Sequence, residues 1–227
     1  MAEFFSHLYS LVVTGFDWIL NVESHLREFI SEYGTLAYVL LFGIIFCETG
    51  LVVMPFLPGD SLLFAVGAVS AEQLLDISIL YPSLLVAAIL GDAVNYSVGR
   101  YAFDRVVARF GGRFIKPEHI AEAEAFFAKW GGWAIVLARF APFLRTFVPF
   151  VAGGAHMNPR RFFFFNVLGG FVWITSFLWA GYFFGRLPFF QNNFKALMLG
   201  IIAVSVLPAV VGVLKARRAS AKRVHGA

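Results

Sequence analysis

Glu48-Thr49-Gly50-Leu51-Val52-Val53-Met54-Pro55-Phe56-Leu57-Pro58-Gly59-Asp60-Ser61-Leu62-Leu63-Phe64 sets two carboxylates, two prolines and two glycines inside an otherwise apolar run. Leu36 to Cys47 on its left and Leu62 to Ala71 on its right carry no charge. In a soluble protein this would be a core loop. In a bilayer an ionised carboxylate is costly, so an acid at membrane depth points to function. Leu36 to Met54 is 19 residues, enough at about 1.5 Å per residue to cross a ~30 Å hydrocarbon core. Yet Pro55 and Pro58-Gly59 break the run, and the apolar stretch resuming at Leu62 lasts ten residues before Glu72. A full span followed by half a span would strand the chain. The spacing therefore predicts a re-entrant hairpin over residues 36–71, entering and leaving on one side. Such backbone is tolerated only where protein covers it or where it lines a wet cavity. Asp60 or Ser61 can cap the second arm.

Composition decides between the two settings. The 227 residues are 59% hydrophobic and 18% aromatic, with 28 phenylalanines and 14% charged residues, against about 25% charged in soluble domains. Mean hydropathy is +0.77. This is a polytopic, all-α membrane protein, and its length suits one membrane domain. The single Cys47 excludes an internal disulfide. The net charge of +4 does not indicate nucleic acid, because the bases cluster at membrane edges.

Residues 1–34 hold five acids and one base, Arg27, and read as an amphipathic, interfacial segment, with a true span as the competing reading. The membrane domain covers 35–214. After the first hairpin come a transmembrane helix at 82–103, an amphipathic helix at 117–130 and a second re-entrant hairpin at 133–157. In that hairpin Pro142 and Pro149 interrupt two short apolar runs. Transmembrane helices at 162–184 and 194–214 follow, then a basic tail at 215–227. Lys and Arg asymmetry places the 100–129 connection, Arg160-Arg161 and the C-terminus in the cytoplasm and the loop with Glu72 and Asp76 outside. Hairpin plus helix thus occurs twice with opposite topology, and the last helix is additional. Inverted repeats around broken helices are a secondary-transporter architecture, with the site near the midplane.

Each hairpin carries its own charge sign. Glu48 and Asp60 lie in the first, Arg139 and Arg145 in the second. If the hairpins meet, the four charges sum to zero, which lets a bilayer protein hold them. Either these four form an ion-pair lock, or the carboxylates accept protons while the arginines, whose fork suits phosphate, receive an anionic headgroup. Asp92 and Asn95, mid-helix, support the site or join helices.

The motifs Glu48-Thr49-Gly50, Pro55-x-x-Pro58-Gly59-Asp60, Gly91-Asp92-x-x-Asn95-Tyr96-x-x-Gly99-Arg100 and Arg139-Phe140-x-Pro142-x-x-Arg145, running on to Ala152-Gly153 and Met157, resemble those of the DedA family of bacterial inner-membrane proteins. That family shares its domain with eukaryotic autophagy-linked lipid scramblases. The resemblance covers roughly residues 35–185. It implies proton-dependent membrane transport, with flipping of undecaprenyl phosphate or other phospholipids in some members, in the bacterial cytoplasmic membrane.

No other chemistry stands out. The five histidines have no metal-ligand spacing, and no HExxH, Walker A or GxSxG occurs. No cofactor, metal or enzymatic activity is expected. His156 reads as an interface residue, and Trp173 and Trp179 as mid-span packing. Expected partners are membrane lipids with an anionic headgroup, and protons; a homo-oligomer stays open. A proton-coupled cation or drug antiporter and a non-transporting scaffold are the competing functions.

Overall fold

The computed structural model describes residues 22–51, 59–110, 117–141, 144–187 and 200. The start of the interfacial segment, Pro55, Pro58, Pro142 and the tail lie outside them, as does the span predicted at 194–214 apart from Gly200. Among the described residues the chain is all-helical, in eight helices: α1 Val22–Tyr33, α2 Leu36–Gly50, α3 Gly59–Ala71, α4 Ile77–Phe110, α5 Pro117–Trp130, α6 Trp133–Ala138, α7 Leu144–Gly154 and α8 Pro159–Phe184.

Among the described residues two helices are long and apolar enough to cross a membrane, at Ile77–Phe103 and Pro159–Phe184. The first starts earlier than the predicted 82, because Asp76 caps it. Its carboxylate accepts from the Ser78 N–H at 2.9 Å and from the Ser78 hydroxyl at 2.6 Å. These bonds hold the exposed Asp76 carboxyl below its usual range. Pro82 therefore lies inside the helix. The second starts at Pro159 rather than 162. Asn158 caps it by accepting from the Arg160 N–H, and Pro at the first position leaves no donor unmet. Val86, Leu90 and Val94 of α4 are each more than 40% exposed, four residues apart on one face. Ala87, Ala88, Asp92 and Asn95 are buried on another, the helical period of a lipid-facing stripe opposite a protein-facing one.

α2 ends at Gly50 and α3 begins at Gly59, and α6 ends at Ala138 and α7 begins at Leu144; the predicted breakers Pro55, Pro58 and Pro142 between them lie outside the described residues. Pro149, also predicted as a breaker, lies within α7. It removes a donor to the Arg145 carbonyl, four residues back, without ending the helix. Gly59 opens α3 rather than standing in the break. The amphipathic helix at 117–130 matches α5 and ends at Gly131, whose φ of +56° is the left-handed stop that suits glycine.

The packing is reciprocal. The first arms stay with their own long helix, α2 on α4 and α6 on α8, whereas the second arms cross over, α3 onto α8 and α7 onto α4. Glycines set both crossings. A Cβ on Gly67 would lie 2.1 Å from Leu178 O, and one on Gly181 would lie 2.0 Å from Phe64 O. In the other crossing, a Cβ on Gly153 would lie 2.1 Å from Tyr96 O and one on Gly99 2.0 Å from Phe150 O. Each pair of glycine and carbonyl partner is spaced three residues apart on its helix. Lipid tails are as apolar as leucine, so close backbone approach and hydrogen bonds drive such association. One buried cluster joins α2, α3 and α4 to Trp173, Ile174 and Leu178, and a second joins Tyr96 and Phe162 to α6 and α7. Outside both, Arg27 of α1 forms an exposed ion pair with Glu72.

A candidate functional site where the broken helices meet

Glu48 lies in the last turn of α2 and Asp60 in the first turn of α3; Arg139 follows α6 directly and Arg145 opens α7. The crossing arms bring these helix ends together, and all four side chains are buried, Glu48 completely. Arg145 spans both carboxylates. Its Nη2 lies 2.5 Å from Glu48 Oε1 and its Nη1 donates to Asp60 Oδ1 at 3.1 Å. The Gly59 N–H donates to Glu48 Oε1 at 3.2 Å, so the α3 N-terminus adds its partial positive charge to the same carboxylate. Arg145 itself sits at the positive end of α7, and the facing acids offset that placement.

Arg139 serves a second group. Its Nη2 donates to Asp92 Oδ2 at 2.6 Å and to Asn166 Oδ1 at 2.6 Å. Asn166 is oriented in turn by its amide, which donates to Ile89 O at 2.9 Å. Asp92 is therefore the ion-pair partner of Arg139, and the expected neutral set of four becomes a set of five: three carboxyls with two guanidiniums. Asn95, completely buried, donates to Thr49 O at 3.2 Å and to Thr146 O at 2.7 Å. It ties α4 to the end of α2 and the start of α7.

Trp173 is not mere mid-span packing. Its Nε1 donates to Asp60 Oδ1 at 2.8 Å, and its ring lies 5.7 Å from Cζ of both Arg139 and Arg145. Arg139 Nε and Nη1, Glu48 Oε2 and Asn95 Oδ1 are buried without a hydrogen-bond partner among the described residues. Polar atoms in that state mark a place where water or a ligand group belongs. His156 adopts a left-handed φ of +55° in the turn before α8, outside this cluster.

Comparison with known proteins decides the family. The VTT domain matches residues 57–183. Protein DedA of Escherichia coli K12 is 46% identical over 208 residues, covering 91% of this chain and 95% of the relative. The chain belongs to the DedA family. Inner membrane protein YqjA of E. coli K12, another relative, is 34% identical over 175 residues, covering 77% of this chain and 80% of its own. A membrane protein of Mycobacterium leprae is 44% identical over 168 residues, 74% of this chain and 75% of its own. No solved structure matches. The apolar helices and these relatives make this DedA-family chain a membrane protein.

Two residues of this candidate site, Asn166 and Trp173, escape sequence reading. Asn166 is a lone polar residue in an apolar span, a signal visible in the sequence but shared with ordinary helix glue. Trp173 gives no signal, since an indole in an apolar run reads as packing. A third network is peripheral: Arg100 Nη1 donates to Met157 O at 3.1 Å and to Tyr96 Oη at 2.9 Å, and Tyr96 also donates to Met157 O. It pins the turn after α7 to α4.

Proposed function

We propose that this protein is a proton-dependent flippase or scramblase. It moves an anionic lipid headgroup, that of undecaprenyl phosphate or another phospholipid, across the bacterial cytoplasmic membrane. The observation that carries this reading is the five-group cluster. Glu48, Asp60 and Asp92 share Arg139 and Arg145, all buried. Three ionised carboxylates with two guanidiniums would leave a net negative charge away from water, which is expensive. One proton on the carboxyls restores neutrality. An arriving phosphate brings further negative charge, so its entry goes with uptake of protons, and its departure with their release. Proton dependence follows from that count.

Phosphate recognition falls to the arginines. Arg139 uses one nitrogen for its protein partners and keeps Nε and Nη1 without one among the described residues. Nε–H and Nη1–H point to different sides of the guanidinium, because Nε–H lies beside Nη2, so each offers a single hydrogen bond to an oxyanion, and a bidentate grip would also draw in Nη2 from Asp92 and Asn166. The reading also takes the two broken-helix units as re-entrant hairpins in an inverted repeat, a multi-pass chain with a cytoplasmic C-terminus. The reciprocal crossings and their matched glycine spacing support it. No covalent chemistry is involved. Glu48 and Asp60 are the proton-coupling groups, with Asp92 and Asn95 in support.

The test is reconstitution of the full chain in liposomes containing undecaprenyl phosphate or a headgroup-labelled phospholipid. Headgroup accessibility is followed with and without a pH gradient. Translocation that depends on the gradient is expected; translocation at the protein-free rate under both conditions removes the transport reading.

A further inference from the structure

Trp173 has none of its surface exposed. A buried indole N–H needs an acceptor, and here the acceptor is a charged one. Nε1 donates to the same Asp60 oxygen that accepts from Arg145. The ring stands 5.7 Å from both guanidinium carbons, inside the ~6 Å reach of a cation–π contact. The two arginines belong to separate ion groups, Arg139 with Asp92 and Asn166, Arg145 with Glu48 and Asp60. Trp173 borders both groups.

Resting on the headgroup reading above, we propose that Trp173 is a positioning residue that couples the two arginine groups into a single receptor for a lipid-borne oxyanion. The attraction between ring and guanidinium depends on where each cation sits. Displacing one arginine from the ring alters the hold on the other. When an oxyanion draws Arg145 away from Asp60, the indole N–H stays as a donor to that carboxylate, which is then not left bare in a buried site. A residue that only filled space would be replaced equally well by any side chain of similar volume, and the two arginines would act independently.

The experiment is a set of double-mutant cycles on the full chain in detergent, with farnesyl monophosphate as the probe and binding read by calorimetry. Arg139→Gln and Arg145→Gln are made singly and together in three backgrounds: Trp173, Trp173→Phe (ring face kept, N–H lost) and Trp173→Leu. Trp173→Met is a second ring-less variant should the Leu form not accumulate. With Trp or Phe, the combined loss of affinity falls short of the product of the single losses by on the order of 3- to 30-fold, the range of a cation–π contact. Without the ring, the losses multiply. Multiplying losses in the Trp background, or unchanged non-additivity in the ring-less one, overturns the proposal. If the wild-type chain does not bind the probe, the headgroup reading falls, and the unfolding midpoints of the same variants decide the coupling. Midpoint shifts that become additive only without the ring uphold it, and shifts of one pattern in every background refute it.

Discussion

Gly59 donates its N–H to Glu48 Oε1 at 3.2 Å, and a Cβ on Gly59 would lie 1.9 Å from Glu48 Oε2. The carboxylate occupies the volume that a side chain would need, and Glu48 is completely buried and cannot swing away. Gly59→Ala should therefore remove headgroup translocation as fully as loss of Glu48 itself. It should also lower the unfolding midpoint, since overpacking typically costs about 1–3 kcal/mol. The double change Gly59→Ala with Glu48→Ala should regain stability without regaining activity. A fully active Gly59→Ala protein would show that the carboxylate position is unimportant.

Glu48→Gln and Asp60→Asn each remove a proton-accepting group while keeping the shape. Neither acid is needed for hydropathy-driven insertion. Both variants should accumulate in the membrane and lose gradient-dependent translocation, read in liposomes at matched protein. Normal activity in both would end the proton-coupling reading. Loss of the protein itself would make the acids structural.

The arginines should differ on substitution by lysine. Arg145 reaches Glu48 with one nitrogen and Asp60 with the other, which a single ammonium cannot reproduce. Arg145→Lys should destabilise the protein as well as inactivate it. Arg145→Gln, which strands two buried carboxylates, should cost about 3–5 kcal/mol. Arg139 meets Asp92 and Asn166 through one nitrogen. Arg139→Lys should keep most of the stability, read by thermal unfolding, and lose translocation at least tenfold, because the ammonium that replaces Nη2 leaves no counterpart of the Nε and Nη1 donors offered to an oxyanion. The compensating neutral pair is Arg139→Gln with Asp92→Asn, since Asp92 is the carboxylate that Arg139 meets. Full translocation by Arg139→Lys would reduce that arginine to a counter-charge.

Topology is open to labelling. Single cysteines at Ala71 and Ala219 in a Cys47→Ser background should react with an impermeant maleimide from outside the cell at position 71 only. Reaction at 219 alone inverts the arrangement.

How far the sequence reveals this site follows from the physics of an apolar chain. Glu48, Asp60, Arg139 and Arg145 stand out because ionisable residues are rare in such runs, and prolines and glycines beside them mark broken helices. Their partners are another matter. That Arg139 meets Asp92 instead of Glu48 depends on how α6 and α4 are rotated against each other, which periodicity does not specify. Pro149 reads as a breaker, yet it sits in a short helix that tertiary contacts hold on both sides. Trp173 is invisible as a site residue because its role lies in which atoms surround it.

The crossed packing of α3 on α8 has a consequence for biosynthesis. More than a hundred residues separate Gly67 from Gly181, against which its helix closes. At about 5–20 residues per second, α3 is made roughly ten seconds before the surface that receives it, and Glu48 and Asp60 wait nearly as long for Arg145. A nascent chain halted after α4 is thus an unclosed half with three acids, Glu48, Asp60 and Asp92, and neither of their arginine counter-ions in the bilayer. The insertion machinery has to shelter that half until the ribosome delivers the other, and mutations in α8 will surface as degradation of a first half that was itself correctly made.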